Sequence, residues 1–193
     1  LNLKYIPWAL VWFRLSLAPI FPVGCILGAN GGLYVGLLLA GIVSDIFDGV
    51  LARRWKCSAP ALRRADSNVD TVFYSSAGLT AVALHGSYLA SWRVGLAVMF
   101  LFMVTQNVVN IVKYGKQPSY HMYSGKLWGI FLVIALIGLF IDQPSAWALG
   151  CMVAGGIYNS MEDIMASLVL PNPMTDIPTL FHAIRIARTQ KPS

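Results

Sequence analysis

The sequence predicts an all-α integral membrane protein, with six transmembrane helices and short amphipathic interfacial helices at the N- and C-termini, on three observations. Of its 193 residues, 57% are apolar and 11% charged, where a soluble domain carries about a quarter charged. The apolar residues fall into segments of about 20, the length that crosses a bilayer, and roughly six of these fit the chain with short connections. Threading six spans with both ends on one side leaves every one of the 14 Lys and Arg except Arg14 and Arg93 on that side, the pattern of a cytoplasmic face. The net charge of +6 therefore reads as a topology signal, and nucleic acid is not an expected partner. No cleavable signal peptide is expected. Cys25, Cys57 and Cys151 lack the spacing of a disulfide frame or a zinc site and read as free thiols. No internal repeat is visible, which leaves an inverted-repeat transporter without support.

In chain order, residues 1–6 form a short amphipathic entry with Lys4, and Pro7 suits a first helical turn because its missing N–H would be unpaired there anyway. The first span runs from about Trp8 to Leu27 and carries Arg14, which is expected to snorkel to the interface, although it could also meet a carboxylate from a neighbouring span. A Gly-rich turn at 28–32 leads to the second span, about Leu33 to Arg53, with Asp45 and Asp48 in its second half. Arg53, Arg54 and Lys56 mark a cytoplasmic exit. The third span begins near Asp66 and runs to about Ala90, and the fourth, about Val94 to Val112, ends in a polar stripe of Gln106, Asn107, Asn110 and Lys113. Three- and four-residue steps put most of that stripe on one face, which should line a cavity or a helix contact. After a basic connection to Lys126, the fifth span covers about Leu127 to Ile141. Asp142-Gln-Pro144 is a tight turn, and the sixth span covers about Ala146 to Leu170, with Glu162 and Asp163 in its inner part. Pro171 and Pro173 stop that helix, and 179–190 reads as an amphipathic helix suited to the membrane surface. The domain plan is a six-helix transmembrane domain over 1–173 and a basic amphipathic cytoplasmic segment over 174–193.

Four of only eight carboxylates lie between Asp45 and Asp70, beside or inside apolar spans where charge is costly and marks function. Asp45 and Asp48 are about 60° apart on a helix, and Asp66 and Asp70, four apart, share a face. Four converging carboxylates would repel in a poorly solvated site unless cations bound them. Oxygen-only ligands favour hard ions, Mg²⁺ first, with Mn²⁺ or Ca²⁺ as substitutes. Gly49 lets a bulky group approach the helix backbone, and Arg53 offers a planar donor suited to phosphate. If the aspartates only paired with Arg14, Arg53 or Arg63 to pack helices, two negative charges would be left over.

This window resembles the signature of the CDP-alcohol phosphotransferase (CDP-alcohol phosphatidyltransferase) family, D-x2-D-G-x2-A-R followed after a spacer by G-x3-D-x3-D, and marks the chain as a divergent member. Asp45, Asp48, Gly49, Ala52, Arg53, Asp66 and Asp70 fall on it, while Leu62 stands where the second glycine belongs. Ile6-Pro7 and Arg14 are similar to the family's usual entry, with Trp8 and Val11 in place of Asn and Thr. The resemblance implies that Asp45, Asp48, Asp66 and Asp70 hold two metal ions, that Asp70 is also the catalytic base, and that Gly49, Ala52 and Arg53 contact the cytidine diphosphate. It also implies phosphatidyl transfer from CDP-diacylglycerol to the hydroxyl of a small polar alcohol, with release of CMP in phospholipid biosynthesis, by a homodimer among membrane lipids. Lys113, Lys126 and Arg185 are candidates for binding a phosphorylated acceptor. The expected location is the bacterial inner membrane, with both termini and the active site cytoplasmic. Two other readings remain: transfer of a CDP-linked headgroup to a lipid alcohol, and a divalent-cation transporter using the same carboxylates. Glu162 and Asp163 either share the cavity or pair with a cation, and His121 reads as a surface residue.

Overall fold

The computed structural model describes residues 6–54, 60–118, 120, 122–175 and 177–189, with the side chains of Ala52, Arg53, Pro60 and Arg63 set aside. Lys4, Lys56, Cys57 and His121, and nearly all of the amphipathic entry expected over 1–6, lie outside the described residues. Among those described, eight helices follow one another: α1 Ile6–Leu17, α2 Ile20–Ile26, α3 Gly31–Arg54, α4 Pro60–Ala90, α5 Arg93–Tyr114, α6 Tyr123–Phe140, α7 Ala146–Val169 and α8 Leu180–Thr189. Four stretches are both long and apolar enough to cross a membrane: Ile6–Ile26, Gly31–Leu51, Arg93–Tyr114 and Tyr123–Phe140. With 31 and 24 residues, α4 and α7 have the length, but Asp66 and Asp70 in one and Glu162 and Asp163 in the other dilute their apolar character.

Several boundaries differ from the sequence expectation, each for a local reason. The first span is two helices, because Pro19 has no N–H to continue the ladder and instead precedes the first turn of α2, its carbonyl accepting from Val23 N at 3.2 Å. α4 begins at Pro60 rather than near Asp66, since a proline is already shaped for a first helical turn. Leu62 therefore lies on a helix. Near its far end α4 kinks at His85, where φ is −123° and ψ 31°. α5 stops at Gly115, whose φ of 66° lets its N–H reach Ile111 O at 2.8 Å, the left-handed cap that glycine supplies without steric cost. The turn at Asp142 is tight as expected, with Gln143 N on Gly138 O at 2.9 Å. Ser145 then caps α7 by accepting from Ala148 N at 3.3 Å.

The chain forms two compact units, residues 1–89 with 136–144, and 90–135 with 145–193. The first contains α1 to α4 and the end of α6. Its interior is an aromatic cluster: Phe21 lies 5.3 Å from Phe73 edge-on, and Tyr34 stacks on Phe140 at 4.8 Å. Phe21, Tyr34, Phe73 and Phe140 are all buried. A second cluster joins Val11 of α1 to Leu62 and Val69 of α4, with Trp8, Leu15 and Ala65 packed around it.

In the second unit, α5 packs on α7 and α8 on the end of α7. Glycines let α7 be approached closely, since a Cβ on Gly156 would stand 2.7 Å from Met99 Sδ. The polar stripe of α5 proves to be a helix contact. Asn110, buried at 1% exposure, donates to Asp163 Oδ1 at 3.0 Å and accepts from Ser167 Oγ at 2.5 Å. The Ser167 hydroxyl also bonds Tyr120 OH at 2.8 Å. Lys113 Nζ and Tyr114 OH take the last carbonyls of α7, Lys113 on Ser167 and Leu168 and Tyr114 on Ser167 and Leu170, which a helix end leaves unpaired. Replacing Asn110 by Leu should take one hydrogen bond from the Asp163 carboxylate, which Gln106 also bonds, and one from the Ser167 hydroxyl, which keeps Tyr120, and cost about 1 kcal/mol. A detergent melting curve identical to wild type would show that this network adds nothing to stability. α8 sits on a cluster of Tyr120, Met122, Ala166, Leu170 and Ile177, with its own Ala183 buried and Leu180 and Ile186 packed against it. Much of its apolar side is thus taken by protein, while Phe181 stays 84% exposed.

Candidate functional site

The signature aspartates converge on one arginine within the first unit. Asp45 and Asp48 come from α3, Asp66 and Asp70 from α4, and Arg14 from α1. Arg14 Nη1 lies 3.1 Å from Asp45 Oδ1 and 3.0 Å from Asp66 Oδ1, and it also bonds Asp70 Oδ1. Nη2 donates to Asp48 Oδ2 at 2.5 Å, and Nε to Ser44 Oγ at 3.2 Å. That serine is fixed in turn, donating to Gly41 O at 2.8 Å. The arginine was expected to snorkel to the interface; it is instead fully buried. Pairing outweighs the pull of the interface when four carboxylates are on offer to one guanidinium.

The site is dry on one side and open on the other. The Asp48 side chain is 7% exposed, whereas those of Asp45, Asp66 and Asp70 are 47%, 31% and 34% exposed. Small residues bring the helices this close. Gly41 lies one turn before Asp45, and a Cβ there would stand 2.4 Å from Phe73 Cζ, on the α4 turn that follows Asp70. Leu62 is 6% exposed among Val11 and Val69. The departures from the family pattern at Trp8, Val11 and Leu62 thus pack together as one apolar cluster beside the aspartates. Leu62 does not interrupt the helix that carries Asp66 and Asp70.

The donors fit a hard divalent cation. Carboxylate oxygens of Asp45, Asp48 and Asp66 lie within 4.8 Å of one another, and oxygen-only sets suit Mg²⁺, Mn²⁺ or Ca²⁺. Asp70 joins them through the shared Arg14 Nη1. Four carboxylates face one guanidinium, a surplus of three negative charges when all are ionised. Pairing with Arg14 alone therefore leaves room for added positive charge.

Other candidates have their own placements. Gly49 is half-buried on α3 directly after Asp48; the backbone of Ala52 and Arg53 continues that helix, and their side chains lie outside those described. Lys113 is occupied at the end of α7 as above. Lys126 is exposed, its Nζ 5.4 Å from the Tyr123 ring centre, and Arg185 is exposed on α8. Glu162 Oε1 accepts from Leu180 N at 2.9 Å, a carboxylate at the positive end of α8, and Asp163 accepts from Asn110.

Arg14 is the residue that sequence reasoning undervalued. The available signal was a lone cation about two turns inside an apolar span, facing a chain with four span-borne aspartates. The profile of the family described as CDP-alcohol phosphatidyltransferase matches residues 4–158, a stretch that includes Arg14 and all four aspartates. No curated protein and no solved structure matches the chain.

Proposed function

The chain belongs to the CDP-alcohol phosphatidyltransferase family, and on that premise we propose that it moves a phosphatidyl group from CDP-diacylglycerol to the hydroxyl of a small polar alcohol, phosphorylated or free, in phospholipid biosynthesis. Membership makes it an integral membrane transferase that draws on a CDP-alcohol donor and an alcohol acceptor. The observation that carries the finer reading is the convergence of Asp45, Asp48, Asp66 and Asp70 around Arg14, open towards Asp45, Asp66 and Asp70.

In this reading the acceptor oxygen attacks the phosphorus that bears the diacylglycerol, the bond from that phosphorus to CMP breaks, and Asp70 takes the hydroxyl proton. A carboxylate needs only hydrogen-bond reach for that step, and Asp70 is on the open side of the cluster. Two divalent cations held by Asp45, Asp48, Asp66 and Asp70, Mg²⁺ with Mn²⁺ or Ca²⁺ as substitutes, would supply the charge that neutralises the diphosphate and the departing CMP. Gly49 and Ala52 leave the α3 backbone approachable by the nucleotide, and Arg53 offers a planar donor to its phosphates. Lys126 and Arg185, with the N–H that Lys113 does not spend on α7, would serve a phosphorylated acceptor.

The Lys and Arg asymmetry supports six spans with both termini and the site at the cytoplasmic face of a bacterial inner membrane, residues 1–173 forming the catalytic domain and 174–193 a basic cytoplasmic segment. A homodimer is part of the same proposal. The test is CMP release from labelled CDP-diacylglycerol, with Mg²⁺ and a panel of alcohols. CMP formed with one alcohol and suppressed by a chelator is the expected result. Release only from a CDP-linked headgroup given diacylglycerol would reverse the donor assignment, and no release at all, with cation flux in liposomes, would replace the enzyme by a transporter.

A further inference from the structure

Arg14 touches every signature aspartate, yet the reaction as written has no task for it. It reaches the cluster from the buried side, where it is fully enclosed and pinned by Nε to Ser44 and by Nη2 to Asp48, itself nearly buried. Only Nη1 faces the more exposed carboxylates, Asp45, Asp66 and Asp70. Nη1 takes one oxygen, Oδ1, of each of these three carboxylates, so a cation that binds through those oxygens competes with that one nitrogen. We propose that Arg14 is a resident counter-cation: it holds the four carboxylates together without metal and competes, through Nη1, with an incoming divalent cation for the oxygens of Asp45, Asp66 and Asp70. This rests on the reading that those aspartates bind divalent cations.

Two physical consequences follow. Four carboxylates brought together with no cation would repel one another, so Arg14 stabilises the cluster when no metal is bound. A fixed positive charge bonded to the carboxylates that would hold a divalent cation also opposes its binding, even in a partly screened site. Arg14 thereby limits metal affinity and keeps the ions exchangeable.

The test compares wild type, Arg14→Gln and Arg14→Lys as full-length protein in detergent, with Mn²⁺ binding followed by the loss of the free-ion electron paramagnetic resonance signal, and melting measured in chelator and in Mn²⁺. Arg14→Gln should bind Mn²⁺ about tenfold more tightly or better, and its melting temperature should drop further in chelator than in Mn²⁺. Arg14→Lys keeps the charge but loses the planar fork, and should bind Mn²⁺ about threefold more tightly than wild type. A residue that merely packs the helices would give weaker or unchanged Mn²⁺ binding on removal, and that result overturns the proposal. If Arg14→Gln folds under neither condition, Arg14→Lys decides by the same criterion. Wild-type protein that binds no Mn²⁺ would defeat the metal reading and this inference together, whereas wild-type binding that Arg14→Gln leaves no tighter defeats the inference alone.

Discussion

Asp70→Asn should lower turnover by about a thousandfold while CDP-diacylglycerol affinity changes only a few-fold, when both are measured at saturating Mg²⁺. The substitution preserves size and leaves an oxygen in place, so the α4 helix and its contact with Arg14 can persist. What disappears is the capacity to accept a proton, and general-base removal costs about 10² to 10⁴ in rate. Saturating Mg²⁺ offsets the loss of one charged ligand, which separates the base role from the metal-holding role. Asp48→Asn is the contrast, since Asp48 is nearly buried against Arg14 Nη2 and away from the open side. Its damage should fall on metal and donor binding and recover in part at higher Mg²⁺. Asp70→Asn retaining more than a tenth of wild-type turnover would remove Asp70 as the base and shift the search to Asp45 or Asp66, the other exposed carboxylates.

What the sequence made legible was periodic or chemically costly. The aspartates were visible because charge in an apolar segment needs a reason, and their three- and four-residue steps fix which ones share a helix face. The turn at Asp142 and the polar stripe around Asn110 were marked by residues whose backbone or side-chain chemistry acts locally. Other features depend on rotation and docking, which no local pattern records. The depth of Arg14 in its span is compatible with reaching water or reaching Asp48, and only the rotation of α1 against α3 decides. Leu62 stands where the family pattern has glycine, yet Pro60 starts the helix early and leucine propagates it. Periodicity marks α8 as amphipathic, but it does not record that Leu180 and Ile186 pack against the cluster of Tyr120, Met122 and Ile177.

The geometry of the aspartates depends on a position that carries no charge at all. Gly41 faces the ring of Phe73, and the Cβ of an alanine there would stand 2.4 Å from Cζ and 2.7 Å from Cε1. Phe73 cannot swing aside easily, being fully buried with Phe21 against its ring at 5.3 Å. The methyl must therefore push α3 from α4, one turn from Asp45 and within one turn of Asp70, and Ser44, which fixes Arg14 Nε, bonds the carbonyl of the same glycine. Gly41→Ala should cost about 1–3 kcal/mol through overpacking and about a hundredfold in kcat/KM, because carboxylates displaced by about 1 Å no longer meet the reacting groups. Gly36→Ala on the same helix is the control: a Cβ there meets nothing within 4 Å, and alanine's helix preference should leave stability equal or raised by up to about 1 kcal/mol. If both variants melt and turn over alike, the close approach at Gly41 is not what sets the spacing of the aspartates. If Gly41→Ala alone loses activity, and a smaller side chain at Phe73, such as Leu, restores part of it, the contact between these two residues is what holds the carboxylates in register.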